Sequence, residues 1–150
     1  MLMRTHLAFA VMSVLLLIDD VNNKVVFAVV ALACCLLPDI DCMHSYLGRR
    51  WFFRPLQWCV KHRNVLHSFT FVIIVSGIFA IFFLPVLALP FFVGYAGHLM
   101  LDSLTAEGIR PFWPSKQQIS GGIRTGGKIE IGLFYFFIIV SVVLFVGLFN

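Results

Sequence analysis

The sequence predicts an all-α, polytopic helical membrane protein of about five (4–5) transmembrane helices, with a polar site at their cytoplasmic ends. Three observations carry this. Of 150 residues, 61% are apolar and 12% charged, and the mean hydropathy is +0.98, whereas an ordinary soluble domain is about half apolar and a quarter charged. The apolar residues gather in runs that approach the length of a bilayer span. Ten of the eleven Lys and Arg residues fall in segments that five spans place on one side. A disordered chain is excluded, because 17 Phe together with abundant Val, Ile and Leu cannot stay solvated.

The first span covers residues 5–20, broken only by Thr5, His6 and Ser13 before Asp19, Asp20, Asn22 and Asn23 stop it. No small-x-small cleavage site follows, so it is expected to be an uncleaved span rather than a signal peptide. The second covers 22–38 and ends at Pro38; its apolar part is short enough to be re-entrant. Residues 39–64 are polar and basic. The apolar stretch that follows is too long for one span, and Pro85 divides it into a hairpin of 65–84 and 86–105; one long kinked helix is the alternative. Residues 106–130 are polar and carry two Gly pairs, and 131–149 form the last span. Five spans consume about 100 residues, which predicts one integral-membrane domain over 1–150.

This arrangement puts Arg4, Arg49, Arg50, Arg54, Lys61, Arg63, Arg110, Lys116, Arg124 and Lys128 on one face and Lys24 alone on the other. Positive residues mark the cytoplasmic side. The expected location is therefore the cell (inner) membrane, with the N-terminus cytoplasmic and the C-terminus outside. The net charge of +4 is then accounted for by orientation and anionic headgroups, and nucleic acid is not needed as a partner. Cys34 and Cys35 read as packing residues, Cys42 and Cys59 as reduced thiols.

The residues able to do chemistry cluster by position. All five histidines and five of the seven acids fall at the cytoplasmic helix ends. Polar residues avoid the bilayer core, so some clustering is forced, but ionisable groups at membrane depth are functional candidates. His98 and Asp102, four apart, share a helix face. His and Asp together suit Zn²⁺, Mn²⁺ or Fe²⁺. Asp39 and Asp41 flank Ile40 after a Pro, a pattern that binds hard cations and also makes plain turns. His62 and His67 precede the third span, where Ser68 could bind substrate or simply cap the helix; His44 reads as exposed. The run GGIRTGGK (121–128) approaches a phosphate-binding loop, but Ile129 stands where Ser or Thr belongs and no strand precedes it. Nucleotide binding is rejected there, while Arg124 and Lys128 remain available to anions.

In order, the chain carries Thr5-His6, LLPDID (36–41), Ser45, Gly48-Arg49, HR (62–63), HS (67–68), GYxxHLxLDxLTxxG (94–108), WP (113–114) and Glu130. This series, over about residues 5–130, resembles the YdjM/DUF457 family, described as inner-membrane metal-dependent hydrolases. The GYxxHLxLD segment is distantly similar to zinc-dependent phospholipase C. The resemblance implies metal-site roles for His6, Asp39, Asp41, His62, His67, His98 and Asp102, and Thr105 and Glu130 also match. Two departures stand out. Cys42-Met43 occupy positions where the family often has His-Pro, and HRNVLHS replaces HRGxTHS, sparing the histidines but altering the loop between them.

The expected function is a membrane-embedded metal-dependent hydrolase, a phosphoesterase acting on a lipid through metal-activated water. The expected cofactor is one or two divalent ions, zinc foremost and manganese, iron or magnesium next. With two ions, Asp39 or Asp41 would bridge. Arg63 and Arg49 would clamp phosphate, and Glu130 would orient a ligand or act as general base. Arg63, Ser68, Thr105, Arg124 and Lys128 would line the substrate side. The alternatives are a metal-binding transporter or sensor, and a non-catalytic membrane adaptor using the basic loop 49–63.

Overall fold

The computed structural model describes residues 1–43, 45, 48–59, 64–82 and 84–149. Among them are six α-helices: α1 (Met3–Leu17), α2 (Lys24–Cys34), α3 (Arg54–Cys59), α4 (Phe69–Phe82), α5 (Pro85–Ser103) and α6 (Lys128–Gly147). No strand forms among the described residues; two isolated bridges, Thr105 with Ile123 and Ile109 with Ile119, order the loop before α6.

Helix α5 is the hub: α1, α2 and α4 pack on it, and α6 packs on α1. Val72, Phe91, Tyr95 and Leu99 form the α4/α5 core with Cys34 and Ile109. Ala8, Leu101 and Phe137 join α1, α5 and α6, and Val14, Phe27 and Ala31 join α1 to α2. The α2/α5 crossing is close because Gly94 has no side chain; a Cβ there would run into the Ala31 carbonyl.

Helices α2 and α4 are shorter than the segments 22–38 and 65–84 that predict them. At 1.5 Å per residue, α5 (19 residues) and α6 (20 residues) reach roughly 28 and 30 Å, and these two are long and apolar enough to cross a membrane. Helices α1, α2 and α4 have 15, 11 and 14 residues. The shortening of α2 has a local cause: proline clashes with the carbonyl four residues back, and four before Pro38 is Cys34, where α2 stops. The chain then tightens into a 3₁₀ turn, Pro38–Asp41. Ser68 Oγ accepts from Phe71 N–H and caps α4, and the Pro111 carbonyl takes the N–H groups of Phe69 and Thr70.

Along α6 most apolar side chains face outward, including Ile139 at 63% and Val143 at 65% exposure. Such a surface needs an apolar surround. The chain crosses between the two ends of this bundle so that the start of α1, the end of α2, the start of α4, the end of α5 and the start of α6 meet.

Replacing Gly94 by Ala overpacks the α2/α5 contact and should cost about 1–3 kcal/mol in thermal unfolding of detergent-solubilised protein. Gly132→Ala, whose Cβ meets nothing, should leave stability equal or higher. A Gly94→Ala protein as stable as its parent would contradict the crossing.

Candidate metal centre

Six of the seven side chains that the sequence nominates as ligands converge. His6 comes from the first turns of α1, Asp39 and Asp41 from the 3₁₀ turn after α2, His67 from the residues before α4, and His98 and Asp102 from the last turns of α5. His62, with Arg63 and His44, lies outside the described residues. All six are held near complete burial except Asp39, whose side chain is 28% exposed. Asp39 is therefore the most open of these six.

The centre of the cluster is Asp102. Its Oδ1 lies 3.3 Å from His6 Nε2, and its Oδ2 lies 3.6 Å from His98 Nε2 and 3.8 Å from His67 Nε2. Asp39 Oδ1 stands 3.7 Å from His98 Nε2 and 4.0 Å from His67 Nε2. Donors held by one ion at about 2.0–2.1 Å lie roughly 3–4 Å apart, so the spacings suit a shared cation. Two sets of donors converge within 4.8 Å and overlap at His98: His6, His98 and Asp102, and Asp39, His67 and His98. Asp41 sits behind His67, its Oδ2 3.3 Å from Nδ1, the position of a carboxylate that orients a ligating imidazole. Asp102 thus faces three imidazoles, and Asp39 Oδ1 faces two of the same three.

The imidazoles have defined surroundings. His98 Nδ1 lies 2.7 Å from the Cys35 carbonyl, and a carbonyl only accepts, so Nδ1 carries a proton and Nε2 is the nitrogen that faces the carboxylates. Pro38 makes this contact available, because ending α2 leaves the Cys35 carbonyl without its helical partner. Tyr95 Oη donates to Leu66 O at 2.9 Å and pins the segment bearing His67. The His6 ring stacks on His98 at 3.9 Å. Neither nitrogen of His6 nor Nε2 of His98 makes a hydrogen bond, an expensive state for buried polar atoms and the one expected of atoms shaped for an ion. Three carboxylates gathered in so little space also repel one another, which a divalent cation would offset; the Met1 nitrogen lies 2.5 Å from Asp102 Oδ1.

The remaining nominated residues have other surroundings. Glu130 is buried; its Oε1 accepts from Leu2 N–H (2.6 Å) and Thr5 Oγ1 (3.0 Å), and its Oε2 from Gly126 N–H (2.5 Å). Gly126 reaches that position with φ +76°, which favours glycine. Glu130 therefore joins α6 to the start of α1, next to His6. Thr105 Oγ1 donates to the Asp102 carbonyl at 2.7 Å and accepts from Gly108 N–H, closing the end of α5. Ser68 is the α4 cap described above. Arg49, Arg124 and Lys128 are exposed. Two contributors are absent from the sequence reading of the site. The Cys35 carbonyl belongs to the backbone and leaves no residue-type signal, whereas Thr5 could have been found from its place beside His6.

Residues 1–149 match the family described as YdjM inner membrane protein. Curated relatives named inner membrane protein YdjM, from Escherichia coli (strain K12) and Shigella flexneri, are each 36% identical over 94 residues, 57% of this chain and 48% of theirs. The chain thus aligns to about half the length of those relatives. No solved structure matches.

Removing the Glu130 carboxylate strands three donors. Glu130→Ala should lower stability by about 1–3 kcal/mol in thermal unfolding, with Glu130→Gln recovering part of it. A Glu130→Ala protein that melts with its parent would rule out this anchoring role.

Proposed function

We propose, for a chain that belongs to the YdjM inner membrane protein family, that the His–Asp cluster holds a divalent metal and hydrolyses a phosphoester of a membrane lipid. The observation that carries the reading is the convergence of histidines and carboxylates from four separate segments, with both His6 nitrogens and His98 Nε2 left without hydrogen bonds. Donors of nitrogen and carboxylate oxygen, without thiolate, favour Zn²⁺, with Mn²⁺ and Fe²⁺ next. His6, Asp39, His67, His98 and Asp102 would hold it. One imidazole nitrogen binds one ion, so the two overlapping sets cannot both be complete. A second ion would have to rest on His6 and Asp102 without His98.

A bound divalent ion lowers the pKa of water towards neutrality and stabilises charge growing on a phosphoryl oxygen. The chain supplies the rest. Asp41 orients His67, and the Cys35 carbonyl fixes the His98 tautomer. Glu130 and Thr5 hold the α1 turn that carries His6. Asp39, half-open, would face the incoming substrate. Arg49, Arg124 and Lys128, and Arg63 from outside the described residues, would draw the phosphate by charge.

A lipid substrate suits this placement, because the cluster lies at the ends of apolar helices. Five passes, with these ends in the cytoplasm, agree with the ten-to-one distribution of Lys and Arg under the positive-inside rule. A transport site would be expected near the midplane, whereas His6 stands at the fourth position of α1 and Asp102 at the last-but-one of α5.

Purified protein should carry stoichiometric divalent metal by elemental analysis, lost in His98→Ala and Asp102→Ala. It should release phosphate from mixed micelles containing phosphatidic acid or polyprenyl phosphate, and chelation should abolish release. Asp41→Asn should weaken metal affinity about 10–100-fold. A folded protein with no affinity for Zn²⁺, Mn²⁺ or Fe²⁺ would refute the metal centre; metal without release from any lipid phosphoester would refute the hydrolase.

A further inference from the structure

Outside the cluster, the most unusual surface is the segment between the 3₁₀ turn of Asp39–Asp41 and α4. Trp51 is 81% exposed, Phe52 56% and Trp58 82%. Arginines interleave with them: Arg49 and Arg50 are exposed, and Arg54 is half-buried with its guanidinium on Met43 Sδ. Aromatic side chains beside cationic ones suit the headgroup layer of a bilayer, where the ring sits among glycerol and carbonyl groups and the cation meets phosphate. In water the same three rings would cost apolar exposure with nothing gained.

This segment is tied to the mouth of the cluster. Gln57 Nε2, on α3, donates to the carbonyls of Ile40 (2.8 Å) and Gly48 (2.6 Å). Ser45 Oγ donates to the Asp39 carbonyl at 2.5 Å and accepts from Gly48 N–H at 2.8 Å. A Cβ at Gly48 would run into the Asp39 and Cys42 carbonyls, so the wrap is tight. The aromatic segment and Asp39 therefore move as a unit.

We propose that residues 49–58 are an interfacial anchor for anionic phospholipid, inserting Trp51, Phe52 and Trp58 at headgroup level and holding the Asp39 mouth at that depth. The partner is the anionic leaflet itself, chosen by charge complementarity with the arginines. The inference does not require hydrolysis.

The test uses the full chain in vesicles of phosphatidylcholine and phosphatidylglycerol. The chain has three Trp, so Trp113→Phe leaves Trp51 and Trp58 as reporters. Lipids brominated near the carbonyl end of the acyl chain should quench them more than lipids brominated near the methyl end. Brominated phosphatidylglycerol should quench more than brominated phosphatidylcholine at equal mole fraction. Arg50→Gln should reduce that headgroup preference by about fivefold at low salt and leave the depth ranking unchanged. If Trp113→Phe does not fold, the difference in quenching between the parent and Trp58→Phe reads the same depth. Quenching by aqueous iodide but not by brominated lipid would overturn the anchor and indicate a soluble partner. Stronger quenching from the methyl end, or no headgroup preference, would overturn it equally.

Discussion

The carboxylate of Asp102 is the point on which the molecule turns. One oxygen faces His6 on α1, and the other faces His98 on its own helix and His67 before α4. Three segments distant in sequence thus share one buried anion. Burying a charge is costly unless it is compensated, and imidazoles in this number compensate it only weakly while neutral. The Met1 nitrogen lies 2.5 Å from Asp102 Oδ1, and under the metal reading proposed above a divalent cation would bring further positive charge to the cluster. The surroundings serve the same end: the Thr105 hydroxyl closes the helix behind Asp102, the Cys35 carbonyl selects the His98 tautomer, and Glu130 keeps the first turns of α1 in place.

Helix alternation explains why the polar groups meet where they do. In a chain of alternating helices, every second helix end falls at the same level, and ionisable residues are tolerated at ends far better than at the centre. Five such ends here contribute His6, Asp39 and Asp41, His67, His98 and Asp102, and Glu130. The crossing at Gly94 brings α2 against α5, which lets the Cys35 carbonyl reach His98. Packing and chemistry therefore depend on the same contact.

Much of this was legible in the residues. The His98/Asp102 pair follows from helical periodicity, and helix alternation was enough to gather the other candidates on one rim. Other features were not legible, for identifiable reasons. Helix α2 ends earlier than its apolar run because Pro38 acts on the carbonyl four residues back. The tautomer of His98 depends on a backbone group that carries no sequence mark. Ser68 admitted two readings, and its bonds to Val65 and Phe71 make it a cap. Nothing in the sequence brings Leu2, Thr5 and Gly126 to the oxygens of Glu130. That Asp102 faces His6, His67 and His98 while Asp39 faces the last two is a matter of packing that alternation alone does not give.

The central claim is that the cluster is a cation site built from imidazole and carboxylate. X-ray absorption at the metal edge of the purified, zinc-loaded protein tests it most directly. The account predicts a first shell of nitrogen and oxygen at about 2.0–2.1 Å, with the outer-shell scattering of at least two imidazoles and no sulfur. A sulfur shell at about 2.3 Å, or a first shell without imidazole, would contradict it.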